Sequence, residues 1–172
     1  MRAARVAVAI AFALALQTTL ARHLVGSASR IDLVLVAVVH VAMTTGPVTA
    51  LLSGAIGGIV QDALSGGIIG VGGFSKTVVG FLVALLGTRI VVARQLPRFV
   101  LFAAATLLHA ATFLWLYSML ESRIPTASVG GVLEQAIGNG VAGLVVFELN
   151  KAVPWWRWPW VRSGHVKRRL EW

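Results

Sequence analysis

Six apolar segments, at residues 6–21, 31–45, 47–63, 68–92, 98–118 and 131–153, follow one another along the 172-residue chain with short polar stretches between them. A helix that crosses the roughly 30 Å hydrocarbon core of a bilayer needs about 20 apolar residues. The second and third segments are short by that measure, so five spans with a re-entrant piece compete with a count of six. The expected fold class is all-α: a polytopic integral membrane protein, a bundle of six transmembrane helices with short loops. It is expected to occupy residues 1–153, ahead of a Trp- and Arg-rich interfacial tail at 154–172.

Composition argues against a soluble domain. Hydrophobic residues make up 58% of the chain and charged ones 12%, with a mean hydropathy of +0.85, too little polar surface for a water-soluble fold of this size. Cysteine is absent, which excludes a disulfide framework and thiolate chemistry. A net charge of +9 would suit nucleic acid only on the basic face of a soluble fold. Here Lys and Arg flank the apolar segments, as cytoplasmic anchors beside anionic lipid do, and no nucleic-acid partner is expected.

The opening "MRAARVAVAIAFALALQTTLARHL" has the form of a secretory signal, with Thr19 and Ala21 at a cleavage-like site. Five further apolar segments favour an uncleaved first span. With the N-terminus in the cytoplasm, that side holds Arg2, Arg5, Arg89, Arg94, Arg98 and the six cations from Lys151 to Arg169. The opposite side holds Arg22, Arg30 and Arg123, and Lys76 lies inside a span. The bias places both termini in the cytoplasm, the parity of six spans. The tail "VPWWRWPWVRSGHVKRRLEW" interleaves indoles with cations and suits an anionic membrane interface; a docking site for a cytoplasmic protein is the competing reading.

Two motifs suggest nucleotide chemistry and fail on context. "GNGVAG" at 138–143 matches a dinucleotide-binding pattern but lies inside an apolar helical segment, where small residues serve close packing. "GVGGFSKT" at 70–77 looks like a phosphate loop but lacks a preceding strand and falls on the side away from the cytoplasm.

The polar residues inside the segments are the candidates for function. "IVQDALSGGIIG" at 59–70 sets Gln61 and Asp62 ahead of a glycine run. Ala50, Gly54 and Gly58 form a small-residue stripe that lets another helix approach, as do Lys76, Gly80, Ala84 and Gly87 in the next segment. An ammonium facing lipid costs about 2.5–3.5 kcal/mol or more, so Lys76 should turn to the bundle, a wet cavity or an acid. Three readings stand for Asp62 and Lys76: a structural pair or separate interfacial solvation, the lining of a pocket, or a partner contact. Gly66, Gly67 and Gly70, with Ser65, suit a tight reversal with positive φ, and Asp62 suits free backbone N–H groups beside it. His40 and His109, with Gln17, Glu134 and Glu148, are candidates for buried faces. The two histidines lack a carboxylate at ligand spacing, so neither a metal nor a cofactor is expected. Ser53 and Ser65 have no local His partner, so no catalytic group is expected either.

The stretch from Arg30 to Arg89 resembles the rod shape-determining protein MreD family. The resemblance is carried by the apolar second segment, the glycine-bearing third, Asp62 with "SGG" and "IG" after it, and "VVGFLVALL" in the fourth. Many family members have proline after the arginine that opens the second segment, where this chain has Ile31 and Asp32. The resemblance implies a non-enzymatic subunit of the bacterial elongation machinery in the cytoplasmic (inner) membrane. It implies binding to the bitopic protein MreC and, through the complex, links to MreB filaments and to the peptidoglycan glycosyltransferase and transpeptidase. It further implies a fold similar to the S-components of energy-coupling-factor vitamin transporters, which gives Asp62, Lys76, Gln61, His40 and His109 a second meaning as pocket or partner residues. A vitamin-binding S-component is accordingly the competing function, supported by the stripe Ala3, Ala7, Ala11 and Ala15. A lipid-handling protein is the third. A homodimer and a heteromer fit the small-residue faces equally.

Overall fold

A computed structural model describes residues 2–23, 31–87, 94–121 and 128–152. They form six α-helices: α1 Arg2–His23, α2 Leu33–Thr44, α3 Pro47–Ser65, α4 Val71–Gly87, α5 Gln95–Leu120 and α6 Val129–Ala152. Each coincides with one apolar segment of the sequence. Helices α1, α3, α5 and α6 are long and apolar enough to cross a membrane. Helices α2 and α4 have 12 and 17 residues, or about 18 and 26 Å at the α-helical rise, so four of the six helices have the length to span. The tail at 154–172, Arg30, Arg89 and Arg123 lie outside the described residues.

Local chemistry sets the ends. Asp32 caps α2, its Oδ1 accepting the Leu35 N–H at 2.9 Å, the standard use of a carboxylate at an N-cap. Pro47 opens α3, where its missing N–H is harmless. Gly66 closes α3 at φ 67°, with its N–H on the Asp62 carbonyl, and Gly70 turns the chain at φ 102°. Both angles lie in the left-handed region that glycine adopts without a Cβ penalty.

Helix α2 is the axis of the bundle. It touches the other five helices, while around it neighbours follow in the order α1, α3, α4, α5, α6. Its Val34, Leu35, Val36, Val38, Val39 and Val41 are all nearly inaccessible. Leu35, Val36 and Val39 join Val79, Val83, Phe102, Ala105 and Phe147 in the main core, and Val38 and Val41 meet Val6 and Ile10 of α1 in a smaller one. A 12-residue helix so enclosed does not need to match the thickness of lipid.

The tightest contact joins α3 to α4. A Cβ on Gly54 would collide with the Lys76 carbonyl oxygen, one on Gly58 would sit 2.5 Å from the Gly73 Cα, and one on Gly80 would sit 2.8 Å from the Ala50 carbonyl oxygen. The small-residue stripes of the two segments therefore pack on each other, backbone against backbone. "GNGVAG" also serves packing in α6, but against side chains: Gly140 and Gly143 receive the rings of Phe99 and Phe102.

Candidate functional site

All six helices contribute a polar side chain, from within or at the cap, to one place beside the start of α2. The Lys76 ammonium lies 2.8 Å from Asp32 Oδ2, and both side chains are buried. The His109 Nε2 lies 3.2 Å from Lys76 Nζ. An ammonium has donors only, so His109 accepts here and carries its own proton on Nδ1, an atom buried without a partner. Gln61 Nε2 donates to Asp32 Oδ1 at 3.4 Å, leaving its Oε1 unmatched.

The backbone around Asp32 is held by two amides from distant helices. Gln17 of α1 donates to the Ile31 carbonyl at 2.9 Å and accepts the Leu33 N–H at 2.8 Å. Asn139 of α6 accepts the Asp32 N–H at 2.9 Å and donates to Thr106 Oγ1 of α5 at 3.0 Å. The amide groups at the start of α2 thus find partners inside the bundle, where an unpaired amide would be costly.

Lys76 pairs with Asp32 and not with Asp62, the nearest acid in sequence. The reason is local. Asp62 Oδ2 accepts the N–H groups of Gly70, Gly72 and Gly73 at 2.9, 3.0 and 3.2 Å, so its carboxylate sits on the positive end of α4. The stretch that resembles a phosphate loop uses its amides to hold the protein's own carboxylate. Lys76 lies more than one turn further along α4. Its backbone packs against Gly54 of α3, while its side chain reaches Asp32 of α2 and His109 of α5.

His40 belongs to a second group toward the other end of α2. Its Nε2 lies 3.2 Å from Asn150 Nδ2, and its ring meets Phe147 edge-on with centroids 4.7 Å apart. The Arg98 guanidinium lies 4.7 Å from the centroid of the same Phe147 ring and 4.0 Å from Glu148. His40 stands about 12 Å along α2 from Asp32, at the helical rise, and shares no partner with His109 in the hydrogen bonds described. Of the residues that the sequence singles out, Lys76, Gln61, His109 and Gln17 come together. Asp62, Gly66, Gly67 and Gly70 build the α3–α4 turn, and Gly54, Gly58 and Gly80 pack the helix pair. Asp32, Asn139 and Thr106 are site residues that the sequence reading does not supply. For Asp32 a signal is present: an acid directly before the apolar run "LVLVAVVHVAM" is an N-cap pattern.

An enclosed ion pair, amides committed to backbone groups and apolar outer faces define a multi-pass α-helical membrane protein whose polar groups are turned inward on one another. The family model described as rod shape-determining protein MreD matches residues 3–147. The chain belongs to the MreD family of rod shape-determining membrane proteins. No characterised protein and no solved structure matches it.

Proposed function

We propose that this chain is a non-enzymatic subunit of the bacterial cell-elongation complex, with six spans in the inner membrane and both termini in the cytoplasm. It binds an MreC-like bitopic membrane protein and, through that protein, supports the link between MreB filaments and the peptidoglycan glycosyltransferase and transpeptidase of the side wall. The family match over residues 3–147 carries this reading. The buried polar cluster supports it, because Lys76, Asp32 and Asn139 direct their hydrogen bonds to the bundle itself. The partner then meets the outer helix faces, and Asp62, Lys76, Gln61, His40 and His109 act by keeping those faces in register. The Trp- and Arg-rich tail at 154–172 rests on anionic lipid at the cytoplasmic surface.

The test is co-purification of an MreC-like protein from the same organism with the wild type, Asp62→Ala and Gly54→Leu in nanodiscs, each checked for monodispersity. Retention by the wild type and loss in a monodisperse Gly54→Leu variant would show that binding requires the close α3–α4 packing. A monodisperse wild type that retains no MreC-like protein refutes the scaffold.

One observation favours a second reading. Ala3, Ala7, Ala11 and Ala15 of α1 are all exposed along one stripe, a surface that suits the coupling helix of a vitamin-transporter S-component as well as a scaffold contact. A ligand selective for the folded state adds stability as RT ln(1 + [L]/Kd), so a thermal shift with one member of a vitamin panel would favour the transporter.

A further inference from the structure

Among the described residues the ring of helices around α2 does not close: α1 and α6 both lie against α2 but not against each other. At interaxial distances of about 8–10 Å a helix has room for about six neighbours of its own kind. The ring of five therefore lacks one member. The bare strip is visible on α2 itself, where only Leu33 and Ala37 escape full burial between Leu33 and Ala42. On the helical wheel Ala37 falls between Val41, about 40° to one side, and His40, about 60° to the other. Val41 belongs to a cluster with Val6 and Ile10 of α1, and His40 meets Phe147 of α6. The strip thus faces the space between those two helices.

The walls of this groove are small. On α6, half-buried Ala142 lies on the side of Asn139 away from Gly143, the residue that receives Phe102 of α5. On α1, half-buried Ala9 lies on the side of Ala13 away from Ile10, the residue that meets Gly57 of α3. The outer faces of α3 and α5 expose large side chains such as Leu52, Ile56 and Leu107, a surface suited to lipid. Alanine on three facing helices instead lets another backbone approach closely.

A second observation specifies the chemistry of the occupant. His40 and Asn150, beside the strip on α2 and α6, share one contact of 3.2 Å between His40 Nε2 and Asn150 Nδ2. His40 Nδ1 and Asn150 Oδ1 are buried without a partner. Whichever way the amide is turned, one donor and one acceptor are left over. A hydroxyl donates and accepts, whereas an acyl chain does neither.

We propose that the α1–α6 groove seats one transmembrane helix of a partner protein, with small residues on its inner face and a serine or threonine whose hydroxyl joins His40 to Asn150. The proposal rests on the scaffold reading, in which that helix is the single span of the MreC-like protein, and it names the face that the span uses.

Photo-crosslinking in nanodiscs, with the two proteins made together, tests it. p-Benzoylphenylalanine is placed at Leu16 or Leu149, on the rims of the groove, and at Leu52 or Leu107 as controls, all four exposed. The rim positions should crosslink to the membrane-spanning segment of the MreC-like protein several-fold more than the controls, with the site located by mass spectrometry. Ala37→Leu fills the strip and should lower retention of the partner several-fold while the chain alone unfolds near the wild-type temperature. A retained partner that crosslinks from the rims no better than from Leu52 or Leu107 overturns the groove and leaves the scaffold standing, as does full retention by a monodisperse Ala37→Leu variant. Rim crosslinks to a second copy of this chain, or to lipid alone, overturn the groove as well. A wild type that retains no MreC-like protein overturns both readings.

Discussion

Neutralising Asp32 and Lys76 together should harm the protein less than neutralising either alone. The two groups attract across 2.8 Å, about 6 kcal/mol at an effective dielectric near 20, and most of that attraction offsets the dehydration of both charges. In Lys76→Met the carboxylate keeps only the Leu35 N–H and the long contact from Gln61 among its described partners; in Asp32→Asn the ammonium keeps only His109 among its own. Each single variant strands one buried charge, and losses of about 3–5 kcal/mol are typical when one partner of a buried pair is removed. In the double variant the new side-chain amide at position 32 retains an oxygen for the Leu35 N–H and no charge remains to be solvated, so the expected loss is within about 2 kcal/mol of wild type. Thermal or denaturant unfolding of the four proteins in one lipid or detergent system measures the coupling. A double variant as unstable as the sum of the singles would refute the idea that stranded charge sets the penalty.

Two further outcomes follow from the α3–α4 pair. Asp62→Ala removes the acceptor of three amides, so hydrogen exchange at Gly70, Gly72 and Gly73 should rise by at least about tenfold, the equivalent of one lost charge-assisted hydrogen bond, while Asp62→Asn should show a smaller rise. Gly54→Leu drives a side chain into the Lys76 carbonyl and should destabilise the bundle by more than about 3 kcal/mol, whereas Gly67→Ala, with open space around its Cα, should change unfolding by less than about 0.5 kcal/mol; comparable losses in the two variants would refute the close-approach account.

Helix positions are legible in the sequence because apolar runs and turn residues act locally: all six segments form helices, and the positive φ at Gly66 and Gly70 follows from a reversal between two of them. The stripe of Ala50, Gly54 and Gly58 is visible too, since a four-residue spacing fixes one helix face, although the identity of the facing helix is not. The partner of Lys76 is hidden for a different reason. Sequence proximity favours Asp62, but three backbone amides already hold that carboxylate, and the acid that does pair stands 44 positions before the lysine. Spacing cannot reveal Asn139, because its role depends on how α6 lies against the start of α2.

That long-distance hydrogen bond bears on the order in which the protein comes into being. The Asp32 N–H waits for Asn139, 107 residues later in the chain. At synthesis rates of about 5–20 residues per second the wait is roughly 5–20 seconds. Lys76 arrives earlier and supplies the counter-charge, but the amide at the start of α2 is unmatched by its final partner until about half of α6 has been made. During that interval a newly made chain has a valine-rich central helix with its start unsecured, which makes this the stage at which an insertion factor or a holding chaperone has the most to protect.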